Sequence, residues 1–72
     1  MAIEFVVQRL QIGDVILIDL PDGSGQGEAT VARAIERSDT EGTVRVELRA
    51  EGVPEFVREW AVDDRVTVVR GP

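Results

Sequence analysis

The sequence contains no cysteine, histidine, tyrosine, lysine or asparagine, and these absences exclude several kinds of chemistry. Without cysteine the chain forms no disulfide, and without cysteine and histidine most zinc, haem and iron–sulfur sites are excluded. The usual nucleophile–base pairs of hydrolytic enzymes need the same two residue types. We therefore expect a protein that is not an enzyme, with no cofactor and no catalytic or metal-binding residues. All eight basic residues are arginine, which is typical of a bacterial genome rich in G and C.

Long apolar runs are also lacking, since the longest covers only residues 15–18. A run this short is neither a membrane-spanning helix nor the apolar part of a signal peptide, so we expect a cytoplasmic protein that does not bind membranes. The 72 residues predict a single small domain over 1–72, which buries about 60% of its unfolded surface. A net charge of −6 disfavours non-specific contact with nucleic acid.

The residues that are present favour β-structure. Valine is the most frequent residue, it recurs at alternate positions, and turn-forming residues interrupt the chain at short intervals. This pattern predicts a small all-β barrel of five to six strands, with one short 3-10 turn at 61–64 before the last strand. The five main strands are predicted at 14–20, 29–37, 43–50, 55–60 and 65–70, and residues 3–8 form an additional edge strand.

Two segments resemble those of SH3-like small barrels. Residues 10–17, with the sequence LQIGDVIL, are similar to the segment that enters the first strand of such barrels, and residues 64–69 (DRVTVV) are similar to their final strand. The resemblance implies that Gly13 and Asp14 turn the chain into the first strand. It implies no single function, because this superfold includes peptide binders, nucleic-acid binders and purely structural modules. The lack of tyrosine argues against the polyproline binding of eukaryotic SH3 domains.

Two polar motifs are more consistent with turns than with sites. The glycine-rich segment 23–27 lacks the lysine and the helix of a phosphate-binding loop, so we expect residues 22–27 to be the most mobile internal segment. Asp63 and Asp64 are a carboxylate pair, but they lie where a turn needs a cap and no calcium-loop pattern surrounds them.

The aromatic residues allow two interpretations, which differ in strand register. A three-residue loop that ends with Gly42 in the left-handed conformation would pair Asp39 with Thr43, and a tight turn would pair Ala50 with Val53. One sheet face would then mix arginines with aromatic side chains, as single-stranded nucleic-acid and acidic-partner sites do. This candidate interaction face consists of Arg33, Arg45, Arg49, Phe56, Arg58 and Trp60.

The other interpretation, which we favour, places Phe56 and Trp60 in the core. A bulge or a four-residue loop would shift the register by one residue and leave Arg33 and Arg58 at the rim of the barrel. A small domain gains much of its stability from buried aromatic residues, so Trp60→Ala should cost about 3 kcal/mol.

The expected function is that of a bacterial interaction module. It would bind a protein partner, or a second copy of itself, through an edge strand or the candidate interaction face. Self-association would use residues 3–7, which have no clear partner in a five-stranded barrel. The alternative is a small regulatory protein that associates with nucleic acid through its arginine and aromatic residues.

Overall fold

The computed structural model describes residues 3–72, which form one curled antiparallel sheet with the shape of a half-barrel. Its seven strands and one 3-10 turn are β1 (Ile3–Val6), the 3-10 turn (Val7–Arg9), β2 (Val15–Asp19), β3 (Gln26–Val31), β4 (Glu36–Ser38), β5 (Thr43–Ala50), β6 (Val53–Ala61) and β7 (Arg65–Arg70). The order across the sheet is β1-β7-β2-β3-β5-β6, and the short strand β4 pairs with the same edge of β5 as β3. The predicted all-β class is confirmed.

The strand count differs from the prediction at one place. The predicted strand 29–37 is two strands, because residues 32–35 leave the ladder after Val31 pairs with Leu48 and return where Glu36 pairs with Arg45. Residues 32–35 lie opposite only residues 46 and 47 of β5, so the excursion contains two additional residues. Because this number is even, side chains alternate between the two faces in the same way before and after it. Both β3 and β4 therefore pair with the same edge of β5, at its two ends.

The predicted 3-10 turn at 61–64 is a single turn closed by one hydrogen bond, without a 3-10 helix. The Asp64 amide donates to the Ala61 carbonyl at 3.0 Å, and Asp64 Oδ2 accepts a hydrogen bond from the Ala61 amide at 3.1 Å. Asp64 is thus a capping residue, as the sequence indicated. The 3-10 turn of the described chain follows β1 instead and buries Val7.

The core lies on the inner, concave face of the sheet. On β5 the inner residues Val44, Val46 and Leu48 are fully buried, whereas the alternate residues are exposed or partly buried. Burial of such side chains is the main stabilising contribution in a domain of this size, about 1.5–3 kcal/mol for each. The buried apolar residues are Val7, Leu10, Val15, Ile16, Ile18, Ala29, Val31, Val44, Val46, Leu48, Val66 and Val68.

The entry into β2 has the geometry that the sequence resemblance implied. Gly13 has a φ of +96°, where a side chain would be strained, and the Asp14 carboxylate accepts a hydrogen bond from the Gln11 amide at 2.8 Å. Asp14 is the buried charged residue of the described chain. Within residues 3–72 no helix has the length and apolar character needed to cross a membrane.

Both hairpin registers differ from the one that would create the candidate interaction face. Ser38, rather than Asp39, pairs with Thr43, so residues 39–42 form a four-residue loop, with Gly42 at a φ of +68° as predicted. The turn at Glu51 and Gly52 does pair Ala50 with Val53. A bulge follows it, because two residues of β6, Pro54 and Glu55, lie opposite the single residue Arg49 of β5.

Candidate interaction edge

The structure divides the six residues of the candidate interaction face between the two sides of the sheet. Because of the bulge, Phe56 pairs with Leu48, Arg58 with Val46 and Trp60 with Val44, so these three residues lie on the inner face. Arg45 and Arg49 alternate with the buried residues of β5 and lie on the outer face. The six residues therefore do not share the one surface that the candidate interaction face assumed.

The outer arginines lie among polar side chains and carboxylates. Arg45 is flanked across the sheet by Glu36 of β4 and Glu59 of β6, and Arg49 is opposite Thr30. The register that would pair Asp39 with Thr43 would also place Arg37 opposite Arg45, but the four-residue loop places Arg37 opposite Val44.

Arg33 lies within the excursion between β3 and β4, and Arg37 lies in β4. Arg33 Nε is 3.6 Å from Glu47 Oε1, and Arg37 Nη1 donates to Gln8 Oε1 at 3.1 Å. Both side chains are largely exposed, so these contacts contribute little to stability. Neither arginine lies beside Phe56 or Trp60 in strand register.

Phe56, Arg58 and Trp60 close the inner face on the β6 side. The two aromatic side chains are partly buried and pack against the core, which agrees with the interpretation that we favoured. Arg58 lies between them, with its guanidinium 5.6 Å from the centre of the Phe56 ring, and its Nη2 donates to the Asp19 carbonyl at 2.9 Å. The hydrogen bond thus links β6 to the end of β2, whereas the attraction between Arg58 and the Phe56 ring lies within β6.

The main chain of β6 has one edge that no strand of the described chain covers. The Val62 amide donates to the Gly42 carbonyl at 3.0 Å, and this pair continues the register of β5 and β6. Hydrogen-bonded pairs alternate along an antiparallel ladder, so Phe56, Arg58 and Trp60 direct their amides and carbonyls toward β5. Val57, Glu59 and Ala61 therefore direct theirs away from the sheet.

This edge is protected at both of its ends. At the carboxyl end, the outward amide and carbonyl of Ala61 are both bonded to Asp64. At the amino end, Pro54 has no amide to donate and the bulge distorts the strand. Between them, the outward amides and carbonyls of Val57 and Glu59 make no hydrogen bond within residues 3–72, and the Val57 side chain is 41% exposed.

The edge that the sequence favoured for self-association is different. The partner of this strand, which the sequence did not reveal, is β7; the other edge of β1 pairs with no strand of the described chain, so β1 is an edge strand as predicted. Reasoning from the sequence missed the β6 edge, although one signal pointed to it. Pro54 lies inside β6, and a proline within a strand indicates an edge.

In the described part of the chain, the acidic side chains are not grouped as a metal ion requires. Within residues 3–72 no group of three or more carboxylates is close enough to hold a metal ion. Asp63 is exposed and Asp64 caps the turn, so this pair acts locally.

The chain matches no protein-family model, no curated protein and no solved structure.

Proposed function

We propose that this protein is a non-catalytic interaction module, related in architecture to SH3-like barrels, that binds an extended segment of another protein along β6. The observation that carries the proposal is the pair of outward-facing residues Val57 and Glu59, whose main-chain groups make no hydrogen bond within the described chain. An added antiparallel strand would form about four hydrogen bonds with them. The strand order of the curled sheet supports the architectural part of the proposal.

Binding at this edge would also cover apolar surface. The Val57 side chain is one of the exposed large apolar side chains of the described residues, and on the inner face the neighbouring Phe56 and Trp60 are only partly buried. A partner residue opposite Val57 would shield it, while the alternate partner residues would extend the inner face beyond the two aromatic rings. Because Pro54 and Asp64 bound the open part of the edge, the partner segment pairs with only a few residues.

A second copy of the chain fits this edge poorly. Two β6 strands joined by a twofold axis keep inner residues on the inner face, and the outward groups of Val57 and Glu59 pair with one another when Val57 of each copy is opposite Glu59 of the other. That register places Arg58 opposite its counterpart in the second copy. Like charges directly opposite one another are destabilising, and each body already carries a net charge of −6.

The experiment titrates the ¹⁵N-labelled protein with the extended peptide acetyl-Thr-Val-Thr-Val-Thr-amide. We expect the amide signals of Val57 and Glu59 to shift most and their hydrogen exchange to slow, because these amides gain acceptors. In Val57→Pro the outward donor is lost and the hydrogen bonds to β5 are kept, so binding should weaken. Val57→Thr keeps the amide and the β-branched shape and should bind as the parent does.

Folding and oligomeric state are checked alongside this titration. If Val57→Pro disturbs the fold, N-methylation of the Val57 amide in a chemically synthesised chain removes the same donor. Shifts that spread over other strands, or that persist unchanged in the N-methylated chain, would contradict the proposal. Light scattering separates the two kinds of partner, and a dimer that loses mass upon N-methylation at Val57 would replace the foreign segment with a second copy.

A further inference from the structure

A small apolar groove lies beside the amino end of β6, between this strand and the loop that connects β2 to β3. Its volume is about 270 Å³, and most of the surface lining it is apolar. The lining residues are Pro21, Asp22, Val53, Pro54, Glu55 and Phe56. The two prolines, the valine and the aromatic ring form its apolar surface, and the two carboxylates are its charged groups.

The charged residues that line the groove are both acidic. They are Asp22 and Glu55, and no arginine or lysine is among the lining residues, although the Arg58 guanidinium lies 5.6 Å from the centre of the Phe56 ring. Asp22 is held in place by Ser24, whose amide and hydroxyl both donate to Asp22 Oδ1, at 3.0 and 2.6 Å. Asp22 Oδ2 accepts no hydrogen bond within residues 3–72, so it is available to a donor from outside the chain.

We propose that this groove receives the side chain of an arginine carried by the partner segment that binds β6. This inference rests on the proposed function and names the chemistry of the partner. An arginine side chain combines an apolar stem, which can lie on Pro21, Pro54 and Phe56, with a guanidinium that can bond to both carboxylates. A purely apolar side chain would leave the two like charges without a partner, and an acidic one would be repelled.

The position of the groove fixes where the arginine lies in the partner. Phe56 lines the groove and immediately precedes Val57, so a segment paired with Val57 and Glu59 leads directly into the groove. In an antiparallel segment the arginine follows the residue opposite Val57, near the carboxyl end. In a parallel segment it precedes that residue, near the amino end.

The test compares peptides in the same ¹⁵N titration. Arginine is added to acetyl-Thr-Val-Thr-Val-Thr-amide at the carboxyl end in one peptide and at the amino end in another, and citrulline replaces arginine in the matched pair. Citrulline has the same shape and no charge. We expect one of the two arginine peptides to bind about fivefold more tightly than its citrulline counterpart at low salt, with shifts at Ser24 and Glu55. The peptide that gains affinity also gives the orientation of the segment.

Charge variants connect the gain to the groove. Asp22→Asn and Glu55→Gln should each reduce the preference for arginine about twofold. Glu41→Gln makes the same charge change in the exposed loop 39–42 and should leave the preference unchanged. An equal loss of preference in all three variants would show a general effect of net charge and would overturn the inference.

The two proposals fail in different ways. If the Thr-Val peptide shifts Val57 and Glu59 but arginine adds no affinity over citrulline at either end, the groove inference is wrong and the edge proposal stands. If no peptide shifts β6, the proposed function is wrong, and N-acetyl-arginine amide then tests the groove alone. If the protein binds this probe more tightly than N-acetyl-citrulline amide, and Asp22→Asn abolishes the difference, the groove remains a site for a basic side chain. If the two probes bind equally, the groove inference is wrong.

Discussion

Strands β5 and β6 are adjacent and similar in length, yet their inner residues are buried to different degrees. Leu48 and Phe56 are opposite each other on the inner face; Leu48 is fully buried, and Phe56 is only partly buried. The difference follows from the neighbours, since β5 is paired on both edges and β6 on one. Inner side chains of β5 are thus fully buried because strands pair with both of its edges. Inner side chains of β6 stay partly exposed beside its unpaired edge, and this is the surface that a partner can cover.

Truncation of Leu48 should have the largest effect on stability. Leu48→Ala removes apolar groups that are completely enclosed between β3, β6 and the core, and the remaining cavity cannot collapse easily. We expect the free energy of unfolding to fall by about 3 kcal/mol, a large part of the stability of a chain this small. Urea denaturation followed by circular dichroism measures this loss. A loss below that of Trp60→Ala would show that the margin, rather than the middle of the sheet, holds the core together.

Truncation of Trp60 should have a smaller effect than full burial would give. Sequence reasoning predicted a loss of about 3 kcal/mol, but the indole is only partly buried, so we expect about 2 kcal/mol for Trp60→Ala. Urea denaturation of this variant and of the parent gives the difference. Trp60 is the single tryptophan of the chain, so its emission and acrylamide quenching report its exposure directly. An unchanged stability together with free quenching would place the indole outside the core.

Loss of the Arg58 guanidinium should have a still smaller effect. Arg58→Met keeps an unbranched apolar stem but removes the hydrogen bond to the Asp19 carbonyl and the contact with the Phe56 ring. We expect a loss of about 1 kcal/mol from the hydrogen bond and the ring contact together. Thermal unfolding of Arg58→Met and of the matched outer-face variant Arg45→Met tests this. Equal effects in the two variants would mean that Arg58 does not link β6 to β2.

The strands themselves were largely predictable from the sequence, because their signals are local. Alternating valines and glycine-containing turns gave residues 43–50 and 65–70 with the bounds that the structure has. The excursion at 32–35 was not predictable in the same way. Its residues continue an alternating pattern, and only the pairing of two separate segments with β5 reveals the break.

The candidate site depended on register, which the sequence left open. One additional residue in the bulge near Pro54 decides that Phe56 and Trp60 lie on the inner face with Val44 and Leu48. One additional residue in the loop at 39–42 places Arg37 opposite Val44 rather than Arg45. Such shifts cost little locally, so propensity does not choose between them, and the burial of two aromatic side chains does. The open edge of β6 is a property of the whole sheet, and Pro54 was its single local sign.

The smallest effect concerns the loop beside the β6 margin. Hydrogen bonds from the Ser24 hydroxyl and amide lower the pKa of Asp22 below its ordinary value, because they stabilise the charged carboxylate. The folded-state pKa is therefore below the unfolded one, so this interaction adds stability above the unfolded pKa and loses it as the pH falls through the folded value. A carbon-detected NMR titration of the Asp22 carboxyl measures the shift. In Ser24→Ala the pKa should rise toward its ordinary value, whereas Ser38→Ala, at the end of β4, should leave it unchanged. An Asp22 pKa that does not respond to Ser24→Ala would mean that Ser24 does not order the loop in this way. The groove beside β6 would then lack a fixed carboxylate, and the open edge of β6 would differ from β5 only in its missing neighbour strand.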